Sequence, residues 1–252
     1  MKHNDFKVIY DRLNEPADIT KLSQELGLDL ELLDVIFTQR TVRETTKSFY
    51  KVQRNAQKLV NDWNHGLTLL EVARKWNFPP ILTGLMIYQV SGRSKKQFWN
   101  MVRSVDTISD ESLKQQIKEI TEEDLVYSPW ATEKQYKRGT WGEEKLQCWL
   151  DGQNISYRTE KDLRGEYPKT PDCLLDKPIR VNGWEVKWIE SKATFGDRVE
   201  VNKNMKKQLE PYLELFGQGV VIYWFGFVDE ITPPEGIYIS DASITNLICK
   251  MP

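Results

Sequence analysis

Cysteine and histidine are scarce in this chain of 252 residues, which has three Cys and two His. Cys148, Cys173 and Cys249 form no closely spaced pair, which excludes a zinc ribbon and a disulfide scaffold and fits a reducing compartment. His3 and His65 lie far apart, so a zinc hydrolase or a one-metal nuclease built on histidine is not expected. No run of 18 apolar residues occurs, and no secretory h-region or concentrated basic import run is evident. The expectation is an intracellular protein that neither spans a membrane nor is exported.

Net charge is also low, −2, but it is unevenly spread. From Arg40 to Arg103 twelve Lys and Arg stand against three acids, Glu44, Asp62 and Glu71. From Ser104 to Thr140 eight acids outnumber five bases. A basic stretch inside a near-neutral chain creates a local field suited to phosphates. What is plentiful is aromatic: nine Trp, ten Tyr and nine Phe, which serve a core and also suit a nucleic-acid surface when Lys and Arg are near.

Residues 1–103 carry apolar positions at helical spacing throughout, for example Phe6, Ile9, Tyr10 and Leu13, then Leu32, Leu33, Ile36 and Phe37. Gly27 and the turn Asn77-Phe78-Pro79-Pro80 punctuate this pattern into two helix-turn-helix-like units. The spacing predicts an all-α domain over 1–103 that binds nucleic acid. In its second unit the helix after Pro80 is poor in base-reading side chains. Arg93, Lys95 and Lys96 would therefore contact phosphate and read shape rather than sequence. Residues 104–138 read as an acidic helical connection, with Pro129 interrupting the chain before a new element.

From residue 139 to 252 the pattern becomes mixed, in the order α-β-β-β-α-β. This predicts an α/β domain with a small mixed sheet flanked by helices. Asn182-Gly183 supplies the positive-φ pair of a tight hairpin turn between two strands. The second strand ends in Glu190-Ser191-Lys192, with Glu190 and Lys192 on one face, while Asp172 opens the first. Asp172 and Glu190, with the Ser191 carbonyl, are hard oxygen donors of the kind Mg²⁺ takes, and Mn²⁺ can replace it. Lys192 is placed to orient a water or neutralise charge on a phosphodiester.

That constellation resembles the PD-(D/E)xK nuclease superfamily, which includes restriction endonucleases and archaeal Holliday-junction resolvases. The runs YPKTPD at 167–172, WIESKATFGD at 188–197 and GVVIYWFGF at 219–227 are similar, more closely, to the codanin-interacting nuclease or TPD-motif family. The resemblance implies a restriction-endonuclease-like core, preceded by helix-turn-helix segments. The implied activity is a divalent-metal-dependent deoxyribonuclease, probing structure more than sequence, with branched, flap or single-stranded DNA among its candidate substrates, and in a eukaryote placed in the nucleus or cytoplasm. It also implies a codanin-like protein partner. Glu143, spaced after Gly139 at a helix start, corresponds to the superfamily's additional acid and adds a metal ligand. Gln208 and Tyr212 stand four apart as in the RecB-like branch, Gln208 in a catalytic role. Lys169, Lys203, Lys206 and Lys207 lie where DNA backbone would pass, Asp197 is a helix cap, and a homodimer suits symmetric substrates. Two other readings share these residues: a catalytically silent DNA-binding module, and a scaffold subunit bound to a codanin-like partner.

Overall fold

Pro16, Pro80 and Pro129 each sit where a helix begins, because a proline in the first turn forfeits no intrahelical hydrogen bond. In a computed structural model, which describes residues 1–246, they help open α2 (Pro16–Leu26), α6 (Pro80–Val90) and α9 (Pro129–Gly152). Cys249 lies outside the described residues. The remaining early helices are α1 (His3–Arg12), α3 (Leu30–Arg54), α4 (Ala56–Asn64), α5 (Leu69–Trp76), α7 (Lys95–Arg103) and α8 (Glu111–Glu123). Among the described residues no helix is long and apolar enough to cross a membrane. The described residues divide into two compact units, 13–136 and 1–12 with 137–246.

The first unit is all helical. Reciprocal caps fix several of its starts: Glu71 N donates to Thr68 Oγ1 at 3.2 Å while Thr68 N donates to Glu71 Oε2 at 2.7 Å. Its centre is α6, whose residues Ile81, Leu85, Met86 and Ile87 are buried beside Leu59, Val72, Phe98 and Ile120. Gly84 makes the packing possible, since a Cβ there would lie 2.8 Å from Ile120 Cδ1. A helix enclosed on nearly every side has no face to present to a DNA groove, so α6 is not a reading helix. The segment 104–138 is likewise more than a connection. Ile117 and Ile120 of α8 are fully buried in this core. Asp124 accepts from Ile81 N, Val126 N and Tyr127 N at 3.0, 3.0 and 2.7 Å.

The second unit holds a five-stranded mixed sheet. Its strands are β1 (Tyr157–Thr159), β2 (Cys173–Val181), β3 (Trp184–Lys192), β4 (Gly219–Tyr223) and β5 (Ile237–Ser240), paired in that order. The first three form an antiparallel meander, and β4 and β5 add in parallel. Asn182 and Gly183 take φ of 49° and 85°, as the hairpin turn between β2 and β3 requires. The short helix α10 (Glu160–Leu163) follows β1, and the crossover from β3 to β4 runs through α11 (Arg198–Asn204), a π-helical turn (Met205–Leu209) and α12 (Glu210–Phe216). In the π turn Glu210 N bonds to Met205 O, just before Pro211, which has no N–H to donate. One face of the sheet packs Ile189, Val220 and Ile222 against Leu146 and Leu150 of α9. The other packs Trp188, Val221 and Tyr223 against Val201, Met205, Leu209 and Tyr212. Every residue of β4 is buried, as its unbroken apolar run implies. Helix α1 belongs here too: Phe6 stacks on Phe195 with ring centroids 5.1 Å apart and planes 8° from parallel.

Candidate active site

Side chains alternate along β3, so Ile189 and Ser191 face α9 while Glu190 and Lys192 face the crossover helices. Cys173 pairs with Ile189, which sets Asp172, the residue before β2, opposite Glu190. Three hydrogen bonds tie this corner together. Asp172 N donates to Glu190 Oε2 at 3.3 Å, Ser191 N to Asp172 Oδ2 at 2.7 Å, and Lys192 Nζ to Glu190 Oε1 at 2.5 Å. Asp172 Oδ1 takes part in none of them.

Glu190 is only 2 % exposed. Burial and then the neighbouring Asp172 charge push its carboxyl up to about 7, against the pull of Lys192. Burial also raises Asp172, opposed by Lys192 and the Ser191 N–H, with Glu160 adding to the rise. Lys192 moves the other way from what burial alone dictates. Burial favours its neutral form, but Glu190 and Asp172 outweigh that and raise it. The corner thus holds two carboxylates and one ammonium, with Glu143 and Glu160 contributing further negative field.

Gln208 and Tyr212 support the corner from the crossover. The Tyr212 hydroxyl donates to Thr170 O at 2.8 Å, and its ring meets Trp188 edge to face at 5.3 Å. Tyr212 therefore anchors the Thr170-Pro171-Asp172 turn, and burial pushes its phenol far up. The Gln208 side chain hydrogen-bonds to Tyr212. On the opposite face Trp224 Nε1 donates to Ser191 Oγ at 2.8 Å.

Glu143 comes to this corner by a route the sequence misplaces. It is not at a helix start, because α9 begins at Pro129; it lies in mid-helix, where neither a cap nor the first-turn dipole explains an acid. Burial raises its carboxyl, followed by the charges of Asp172 and Glu160, with Lys192 and Lys161 acting against them. The glycine that matters is Gly142, not Gly139. A Cβ on Gly142 would lie 2.9 Å from the Trp224 ring and 3.0 Å from Ser191 Oγ, whereas one on Gly139 would meet nothing within 4 Å. Gly142 lets α9 lie directly on the ends of β3 and β4.

The basic residues divide. Lys169, Lys206 and Lys207 are exposed on the same unit as this corner. Lys203 is exposed too but pairs with Glu200 at 3.2 Å. Arg93, Lys95 and Lys96 are exposed on the helical unit, with the Arg93 guanidinium 4.8 Å from the centre of the Tyr88 ring. Asp197 caps α11, accepting from Val199 N and Glu200 N at 2.8 and 3.0 Å. Trp188 is fully buried and unavailable to a ligand. Three contributors escaped the sequence reading: Gly142, Glu160 and Glu200, whose charge adds to the rise of Lys192. Only Glu160 carried a local signal, the Thr159-x-x-Asp162 capping box that starts α10.

Among the described residues no cluster of three or more His, Cys, Asp or Glu could enclose a metal ion. Asp172 and Glu190 stand as a pair. This donor set fits Mg²⁺, which binds through one or two carboxylates and keeps several waters, and it does not fit a closed tetrahedral zinc site.

A mixed α/β domain with one buried and one half-buried carboxylate and a lysine at adjoining strand ends is the class of protein that fold and site define. The chain belongs to the TPD sequence-motif family, whose model, described as a protein of unknown function, matches residues 109–243. It is 35 % identical over 196 residues to the protein named CDAN1-interacting nuclease 1 of Danio rerio, covering 73 % of this chain and 65 % of that one. The Homo sapiens protein of the same name is 32 % identical over 190 residues, 71 % of this chain and 68 % of its own length. The chain thus spans about two thirds of the curated relatives it matches. No solved structure matches it.

Proposed function

We propose that this chain is a divalent-metal-dependent nuclease that hydrolyses phosphodiester bonds in DNA, with a PD-(D/E)xK core formed by α9, β1 to β4 and the crossover helices. The observation that carries the reading is the joining of Asp172, Glu190, Ser191 and Lys192 by three hydrogen bonds at one corner of the sheet. The succession of α9, β1, β2, β3, the crossover helices and β4, interrupted only by the short α10 and followed by β5, and the word nuclease in the relatives' names support it.

In this reading Asp172 and Glu190 would hold Mg²⁺ or Mn²⁺ together with the Ser191 carbonyl; Glu143, expected from the sequence as a further ligand, does not join them in a cluster of three acids and contributes negative field instead. Such an ion supplies Lewis-acid polarisation of a phosphoryl oxygen and makes a water more acidic. A carboxyl buried as deeply as that of Glu190 and raised further by the Asp172 charge favours a cation beside it, since a cation removes the cost of ionising it. Lys192 then gives up its full hold on Glu190 and orients a water or faces the charge that builds on the phosphate. Gln208, held by Tyr212, lines the approach. Lys169, Lys206 and Lys207 contact the backbone near the cut, and Arg93, Lys95 and Lys96 add phosphate contacts from the helical unit. Lys203 contributes less, being paired with Glu200. A codanin-like partner, a homodimer and a place in the nucleus or cytoplasm complete the proposal.

The test is to incubate wild type and Lys192→Ala with labelled DNA and RNA structures in Mg²⁺, Mn²⁺ or EDTA. Cleavage should require the ion and fall about 100-fold or more in the variant, while binding is retained. Equal cleavage by both proteins, or cleavage undiminished in EDTA, would remove this corner from the chemistry.

A further inference from the structure

One face of α9 carries an aromatic surface that the hydrolytic corner does not use. Trp141 remains 42 % exposed although its ring is held on two sides. It meets Trp224 at 5.8 Å and 64°, and Phe225 at 6.1 Å and 43°. The ammonium of Lys145 sits 4.9 Å from the centres of both the Trp141 and Trp224 rings, and the Arg138 guanidinium lies 5.9 Å from Phe225. Lys137, exposed, stands four residues before Trp141 as Lys145 stands four after it, so a cation lies one helical turn to either side.

The position of this surface is set by the same contacts that build the corner. Gly142, the next residue, packs α9 onto Ser191 and Trp224. Trp224 N donates to Lys192 O at 3.0 Å, so the indole beneath Trp141 follows the strand alongside Lys192. Trp224 bonds to Ser191 on the α9 face of the sheet while Glu190 and Lys192 face the crossover helices, so the two surfaces share the ends of β3 and β4. Successive residues of a helix are turned by about 100°, so Glu143 and Trp141 flank Gly142 on opposite sides, the acid toward Asp172 and the indole toward Phe225.

We propose that Trp141, with Lys137 and Lys145, is a stacking platform for unpaired bases of single-stranded nucleic acid lying beside the hydrolytic corner. A large ring held rigid by its neighbours and open on its remaining surface gives a base a partner at little entropic cost. Lys145 already lies over the rings, and its long stem lets the ammonium move to a phosphate as a base takes its place. Only an unpaired base can present its face in this way, which selects single strands, flaps and splayed ends over continuous duplex. The assignment of these as substrates rests on the nuclease reading above; the binding itself does not.

The experiment measures binding of the full chain in EDTA, by anisotropy of fluorescein-labelled oligothymidine, of the same strand with abasic sites, and of a duplex. Trp141→Ala should weaken binding of the oligothymidine by about tenfold or more and change duplex binding little, while Trp141→Phe retains most of the affinity. The abasic strand should bind wild type weakly and be indifferent to the substitution. Three results would overturn the platform: unchanged single-strand binding by Trp141→Ala, equal losses on strand and duplex, or full affinity for the abasic strand. The abasic strand on wild type decides the matter even if Trp141→Ala folds poorly. Loss of the nuclease reading shows separately, as absence of Mg²⁺-dependent cleavage by wild type that still discriminates the strands in EDTA.

Discussion

A methyl group added at position 142 and one added at position 139 should have opposite effects, although both glycines lie in α9. At 139 the added Cβ meets nothing, so Gly139→Ala removes only the entropic cost of a helical glycine and should stabilise by about 0.5–1 kcal/mol. At 142 it meets the Trp224 ring and Ser191 Oγ. The helix must lift, at a cost of about 1–3 kcal/mol that outweighs the propensity gain. Ser191 N also holds Asp172, so Gly142→Ala should lower the proposed cleavage as well as stability. Chemical denaturation of the two variants checks the contrast, and equal midpoints would refute it. At this scale the facing of Glu190 and Lys192 was legible, because a period of two is a local property. So was Asp172 beside them, since a hairpin pairs residues near in sequence. The choice between two glycines was not legible, because it depends on what α9 packs against.

Helix and strand identities follow from apolar periodicity, and the sheet's strands fall close to where alternation and turn residues place them. Lengths do not. The apolar spacing of Leu32, Leu33, Ile36 and Phe37 marks only the start of a helix, yet α3 runs to Arg54, because no glycine or proline stops it and Thr45 and Val52 find buried positions. The end of the helical unit escaped the sequence for a related reason: its acids suggested a solvated link, but one of them, Asp124, is buried and caps α6. Burial raises this carboxyl above its ordinary 3.8 even though three backbone N–H groups pull it down. Its native form therefore keeps its proton to higher pH than the unfolded form, and the stability it contributes is present below about 3.8 and declines as pH rises through the native value. Asp124→Asn does not titrate there, so the stability gap between wild type and Asp124→Asn should move in the variant's favour as pH rises from about 4. Asp124→Ala, which leaves the N–H groups of Ile81, Val126 and Tyr127 without their acceptor, should cost about 3 kcal/mol. Denaturant titrations at pH 4 to 7 measure both; a pH-independent gap would contradict the sign.

Across the whole molecule the sequence assigns residues 1–103 to one helical domain, yet the first helix joins the α/β unit. Periodicity tells a helix which of its faces is apolar; it does not tell which core that face enters, and α1 looks like its helical neighbours until Phe6 is seen on Phe195. Phe6 is buried, and the residue after Phe195 is Gly196, whose N–H bonds to Gly226 O beside β4. Losing Phe6 thus acts on the segment that leaves Lys192 for α11. Phe6→Ala should destabilise the α/β unit by about 3 kcal/mol, the usual cost of emptying an aromatic site. A domain-resolved measurement separates this from general damage. Amides of β3 and β4 should exchange with solvent faster by about two orders of magnitude, while those of α4 to α6 keep their rates, because the two units have separate cores. Uniform acceleration in both units would mean that α1 supports the chain in some other way. Unchanged exchange in β3 and β4 would mean that its packing on Phe195 contributes nothing to the strands that carry Glu190 and Lys192.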